Sequence, residues 1–236
     1  MRKILKNRKA IFFDAGGTLL YPFPSVGEIY RDAALRHGCV ADALLLEKKF
    51  HEVWLKRDGL TSLVAQTSEK VEREWWRSVV KEVFSEIAGL TNFDPFFAEL
   101  YDLFAHPSVW RLYPETLEVL DELKHRKIRL GIISNWDSRL LLLCQGLALD
   151  RYFDLVLASA VFGASKPSPR IFQEGLRHFQ VSPEEALHVG DSLEDDIHGA
   201  RGVGMGAILV DRRGVHRKGP LDIEIIQDLK GLIQFF

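Results

Sequence analysis

Two cysteines, Cys39 and Cys144, are the only thiols in this chain of 236 residues, and they have no metal-ligand spacing. So few thiols fit a reducing compartment, and the expected location is cytoplasmic. Neither sign of charge is in excess, with 31 Lys and Arg against 33 Asp and Glu. That balance gives no reason to expect nucleic acid or an acidic membrane surface as a partner. No stretch approaches the roughly 20 apolar residues of a membrane span. The apolar run behind the basic start Met1–Lys9 is too short for a signal peptide and ends in Asp14. The eight histidines are scattered, without metal spacing. Internal repeats and low-complexity segments are absent. What is present, 47% apolar and 27% charged residues, is ordinary for a soluble globular protein with an ample core.

The pattern changes character along the chain. Residues 10–14 read as a short buried strand, stopped by Ala15-Gly16-Gly17. From about 26 to 105 the period is helical and strand signals are poor. Ile29, Ala33 and Leu35-Arg36 fit one amphipathic helix ending at Gly38, and Leu44 to Trp54 fit a second ending near Gly59. Ser68 to Ala88 suits a longer helix stopped by Gly89, and Asp94-Pro95 opens a fourth that runs to about Ala105. After Pro114, strands at 128–134, 155–158, 186–190 and 207–211 alternate with helices at 114–126, 138–146, 169–179 and 194–203. Such alternation predicts a parallel sheet covered on both faces. The expected architecture is an α/β, Rossmann-like three-layer core formed by residues 1–22 and 110–236, with an inserted helical cap over 23–109. The tail from Asp222 to Phe236 has helical spacing and is expected to pack on the core.

Four short motifs carry the chemistry. Asp14 ends Ile11-Phe12-Phe13 and opens Ala15-Gly16-Gly17-Thr18; Ser134 ends Leu130-Gly131-Ile132-Ile133; Lys166 stands in Ser165-Lys166-Pro167; Gly190-Asp191 is followed by Asp195 and Asp196. Taken singly, Asp14 reads as a turn residue, Ser134 as a helix cap, Lys166 as a solvated lysine and Gly190-Asp191 as a turn. In order they read differently. Ligands of parallel α/β sheets gather at the carboxyl ends of the strands, where Asp14, Ser134 and Asp191 are all predicted. A nucleophilic carboxylate, a hydroxyl, a lysine and a second acidic cluster form a kit for phosphoryl transfer with a divalent metal.

These motifs identify the chain as resembling the haloacid dehalogenase-like hydrolase superfamily over its whole length. Lys166-Pro167-Ser168-Pro169-Arg170-Ile171-Phe172 resembles the third motif, and His188 to Asp196, with Gly199-Ala200-Arg201 and Gly204-Met205 behind it, the fourth. The helical insert is similar to the small cap of that family. Ser134-Asn135-Trp136-Asp137 and Trp75-Trp76 resemble one branch in particular, the haloacid dehalogenase-like hydrolase domain-containing protein three group. The resemblance implies Asp14 as nucleophile through an aspartyl-phosphate, and Mg²⁺ held by Asp14, Asp191 and the Gly16 carbonyl. It also implies that Ser134 and Lys166 act on the phosphoryl group, beside Thr18 and Asn135 as ligand contacts. Asp195 or Asp196, with Asp196 favoured, would orient Lys166 or a metal-bound water. The implied partner is a small phosphorylated molecule.

One departure stands out. The phosphatases of this family carry an aspartate two positions after the nucleophile, where this chain has Gly16. That acid protonates the leaving oxygen and activates water, help worth about 10²–10⁴-fold. Its absence leaves three readings: a slow or specialised phosphatase, a phosphate-ligand binding protein, or phosphonatase- or dehalogenase-type chemistry. Phosphonate cleavage needs a cap lysine, for which Lys48, Lys49, Lys56 and Lys70 are available. Elsewhere bland readings are preferred for His188, as a core histidine, and for Trp75 and Trp76, as cap core; Arg31, Arg57 and Arg73 in the cap fit contact with a substrate anion and an exposed helix face equally well. Arg212-Arg213 with His216-Arg217-Lys218 reads as a solvated loop.

Overall fold

The computed structural model describes residues 8–63, 67–216 and 223–235. Strand β1 (Ala10–Phe13) is buried along its whole length, because an apolar run with no alternation has to be covered on both faces. It is followed by β2 (Leu20–Pro22), which pairs antiparallel with β3 (Trp110–Leu112). Then come β4 (Arg129–Ser134), β5 (Leu155–Ala158), β6 (Ala186–Gly190), β7 (Gly206–Val210) and β8 (Glu224–Ile226). The six-stranded sheet has the order β5-β4-β1-β6-β7-β8, and every neighbouring pair in it is parallel.

The pleat of β1 sorts its side chains into two cores. Ile11 and Phe13 join Leu120, Leu123, Leu140 and Leu143, which come from α5 (Thr116–His125) and α6 (Arg139–Gly146). Ala10 and Phe12 join Phe172, Leu176 and Ile197 on the opposite face. After the single turn α7 (Ser159–Phe162), Phe172 and Leu176 belong to α8 (Pro169–Phe179). Helix, sheet and helix make the three layers. Ile197 lies in a wide π-type turn, Leu193–His198, that runs into α9 (Gly199–Gly202).

Between β2 and β3 run α1 (Val26–Arg36), α2 (Ala43–Lys56), α3 (Glu69–Val83) and α4 (Phe93–Leu103). They enclose a core of their own, including Tyr30, Leu46, Val80, Phe96 and Leu100. Ser25, Asp42 and Ser68 cap the first three with side-chain oxygens that accept main-chain N–H bonds.

Three expectations change and one strand pair is added. Helix α3 stops at Val83, not Ala88, because Phe84 turns inward against Phe96, 4.9 Å between ring centroids. The β2–β3 pair had no legible signal in three-residue strands. The segment 194–203 begins with the wide turn rather than a regular helix. The tail places β8 beside β7 and only one turn, α10 (Lys230–Ile233), in helix. Leu229 and Leu232 nonetheless pack fully buried on the core, while Asp222 and Phe236 lie outside the described residues. No helix among the described residues is long and apolar enough to cross a membrane.

Candidate active site

Strands β4, β1 and β6 are neighbours, so their carboxyl ends form one short line. Asp14 continues β1 by donating its N–H to Val189 O at 2.9 Å. Ser134 is the last residue of β4 and is 2% exposed. Its hydroxyl lies beside the Asp14 carboxylate and favours the ionised form. Lys166 arrives from the loop before α8, and its Nζ donates to Asp14 Oδ1 at 2.6 Å and to Asp196 Oδ1 at 2.5 Å. Carboxylate oxygens of Asp14, Asp191 and Asp196 lie within 4.8 Å of one another.

Local backbone explains this crowding. Gly17 has φ +77°, and a Cβ there would overlap the Asp191 carboxylate. A Cβ on Gly190 would overlap Asp196. Ser192 caps the wide turn by accepting from Asp195 N at 3.1 Å, and that turn brings Asp196 back beneath the end of β6. Asp196 then accepts from His188 Nε2 at 2.8 Å and from Ser192 N at 3.0 Å, in addition to Lys166.

Titration behaviour follows from these contacts. Burial pushes the Asp14 carboxyl up, and the charge of Asp196 adds to this against Lys166. Burial, then Asp14 and Asp196, push Asp191 to about 7, although its side chain opens toward the cavity. Asp195 is raised to about 6, again first by burial. Asp196 goes the other way. Burial opposes its ionisation, but the Lys166 charge and the His188 hydrogen bond outweigh it and hold the carboxyl well below the usual range. Lys166 is likewise kept charged, because its two carboxylate partners outweigh its burial. A lysine faced by several carboxylates leaves an excess of negative charge. Hard oxygen donors with excess negative charge fit a divalent cation such as Mg²⁺.

The expected residues do not all meet at this point. Asp14, Gly16, Ser134, Asn135, Lys166, Asp191, Asp195 and Asp196 line one cavity of about 380 Å³. Thr18 is absent from its wall: fully buried, it reaches Asp191 Oδ1 at a long 3.5 Å. The side chain of Asn135 is spent on the main chain of Lys166, accepting from its N–H at 2.8 Å and donating to its carbonyl at 3.0 Å. It ties the second motif to the third. His188 is a core histidine, fully buried beneath Asp196. Among the suspected cap cations, Arg31 pairs with Asp32, Arg57 with Glu82, and Arg73 stacks on Tyr101. None of these arginines lines the cavity, and neither does Lys48, Lys49, Lys56 or Lys70.

Other residues had no legible signal. Trp76 packs against the helical core as expected, and it also lines the cavity and donates Nε1–H to Asp137 Oδ2 at 2.6 Å. Asp137, fully buried, also holds Arg139 Nη2 at 2.6 Å. Trp75 stays with the helical core as expected. Trp136 covers the place left by the missing acid, since a Cβ on Gly16 would sit 3.1 Å from its ring. Arg212, expected as a solvated loop residue, donates to Gly17 O at 3.1 Å and Thr18 O at 2.7 Å and pairs with Glu115 at 2.8 Å. Its neighbours Arg217 and Lys218 lie outside the described residues.

A family model for haloacid dehalogenase-like hydrolases matches residues 8–204. Haloacid dehalogenase-like hydrolase domain-containing protein 3 of Homo sapiens is 35% identical over 86% of this chain and 81% of its own length. Glyceraldehyde 3-phosphate phosphatase of Methanothermobacter thermautotrophicus is 30% identical over 95% of this chain and 97% of its own. A crystal structure of a dehalogenase superposes with TM-score 0.74 at 22% identity, covering 97% of each chain, a likeness of fold.

Proposed function

Because the chain belongs to the haloacid dehalogenase-like hydrolase family, we propose that it is a Mg²⁺-dependent phosphatase acting on a small phosphorylated molecule through Asp14. The observation that carries this reading is Lys166, buried and shared between Asp14 and Asp196 in the wall of an acid-lined cavity. An attacking carboxylate needs to stay ionised while buried, and a lysine at 2.6 Å supplies the countercharge.

Asp14 forms its bond to phosphorus as the bond from phosphorus to the leaving oxygen breaks, and water later releases phosphate and restores the carboxylate. Lys166 and the hydroxyl of Ser134 face the same carboxylate and are positioned to hold phosphoryl oxygens beside it. Asp196 orients Lys166 and is itself fixed by His188 and Ser192. Mg²⁺, held by Asp14, Asp191 and the carbonyl of Gly16, would neutralise charge on the transferring group. Residues 23–109 act as the cap that encloses the ligand. The catalytically impaired alternative, a phosphate-ligand binding protein, is favoured by Gly16, which offers no acid and is covered by Trp136.

A panel of acyl, aryl and alkyl phosphates, with and without Mg²⁺, tests the proposal. Turnover that requires Mg²⁺ and disappears in a folded Asp14→Asn variant is the expected result. Activity retained in Asp14→Asn places the nucleophile elsewhere. Saturable binding without turnover of any ester supports the binding protein.

A further inference from the structure

Much of the cavity lining is aromatic, including Tyr30, Trp54, Trp76, Phe97 and Trp110, with Trp136 beside Gly16 next to the carboxylates. Trp54 stacks on Trp76 at 5.8 Å, and Trp110 lies 5.1 Å from Trp136. Flat apolar faces of this kind bind flat apolar partners through stacking and area removed from water.

The charges on the wall are equally selective. Among the described residues that line the cavity, the cations are Lys166 and Arg139. Lys166 is taken by Asp14 and Asp196. Arg139, 7% exposed, is taken by Asp137, by the carbonyl of Tyr101 at 3.2 Å and by the ring of Tyr101 at 4.2 Å. A ligand carboxylate would enter without a cation to meet it, and in the field of Asp14, Asp191, Asp195 and Asp196. Burying an unpaired charge of that sign is strongly unfavourable. The leaving group is restricted too. With glycine at position 16 and Trp136 above it, the oxygen must depart with little help from a proton donor there, which suits a phenolic oxygen better than an alkoxide.

We infer that the preferred substrate is an aryl phosphate monoester whose organic part is uncharged and flat, and that the site rejects phosphate monoesters bearing a carboxylate. This rests on the phosphatase reading above, so the test separates the two. In the first arm, the intact chain with Mg²⁺ is titrated with benzylphosphonate and with 3-phosphonopropionate, neither of which is hydrolysed as a phosphate ester. Tryptophan fluorescence reports binding, because Trp54, Trp76, Trp110 and Trp136 line the cavity. Benzylphosphonate is expected to bind at least about tenfold more tightly, a modest return for aromatic stacking. Equal or tighter binding of the carboxylate analogue overturns the inference.

In the second arm, phenyl phosphate is compared with 4-carboxyphenyl phosphate, which has the same leaving oxygen but a charged ring. The expected kcat/KM ratio is again at least about tenfold in favour of phenyl phosphate; a ratio of one or less overturns the inference. Acetyl phosphate supplies the control. If neither it nor phenyl phosphate is hydrolysed, the phosphatase reading fails, and the binding arm still decides the class of ligand.

Discussion

At the scale of single residues, Asp191 and Gly16 are the positions where the reading is most exposed to test. Asp191 follows β6 directly and carries one of the clustered carboxylates. Calorimetry on Asp191→Ala is expected to show clearly weakened Mg²⁺ binding, and wild-type affinity would remove the cation from this place. Gly16 is not among the glycines with left-handed φ, so its backbone accepts another residue; the resistance comes from the Trp136 ring at 3.1 Å. Gly16→Asp is therefore expected to lower stability by about 1–3 kcal/mol through overpacking. It should raise alkyl phosphate turnover by up to about 10²-fold, the low end of acid–base help. Steady-state rates and urea unfolding on the same variant check both. A well-folded variant with unchanged alkyl rates, beside a wild type already fast on them, assigns the proton to another group.

At the scale of elements, loops far apart in sequence hold one another. The loop after β4 is tied to α3, where Trp76 donates to Asp137 and Glu72 accepts from both the N–H and the hydroxyl of Ser138. The loop after β7 is tied to the first motif through Arg212, which closes over Tyr113 while holding the carbonyls of Gly17 and Thr18. Arg212→Ala leaves Glu115, 6% exposed, without its cation and frees both carbonyls. A loss of about 1–3 kcal/mol is expected from a buried carboxylate left without its countercharge, with the Leu229 N–H still donating to it at 3.3 Å. A lowered Tm, with weaker Mg²⁺ binding because the Gly16–Thr18 turn loosens, is the outcome to look for; unchanged values for both would make Arg212 a bystander.

At the scale of the whole molecule, the clustered acids link stability to protons and cations. Asp191 rises from 3.8 to about 7 on folding, and Asp195 from 3.8 to about 6. The folded state therefore binds more protons than the unfolded one between about pH 4 and pH 7. The stability these groups lend is complete below the unfolded value and is lost as pH rises through the folded one. Asp196 is shifted downward, so its own contribution is lost only as pH falls below about 4, outside this window. A divalent cation bound at these carboxylates would take the place of the missing protons, so the Tm gain on adding Mg²⁺ is expected to be larger at pH 8 than at pH 5. Scanning calorimetry at both values checks it, and an equal gain would mean that the cation does not bind at these carboxylates.

Most of the core strands and helices, and the reactive side chains at their ends, were legible in the chain itself. Ile11-Phe12-Phe13 has nowhere to go but a sheet covered on both faces, Gly16-Gly17 forces the turn after Asp14, and Ser134, Lys166 and Asp191 each stand in a short local pattern that marks them as site candidates. Those are near-neighbour constraints, and near neighbours are what a sequence displays. Packing in three dimensions put Thr18 outside the cavity, set Asn135 against Lys166, brought Trp76 to Asp137 and clamped the first motif with Arg212. It also put Trp136 above Gly16 and turned the helical segment's aromatic face toward the carboxylates. Each of these joins residues many positions apart through the packing of separate elements, and side-chain convergence of that kind is fixed by the global minimum of packing and hydrogen bonding rather than by any local pattern.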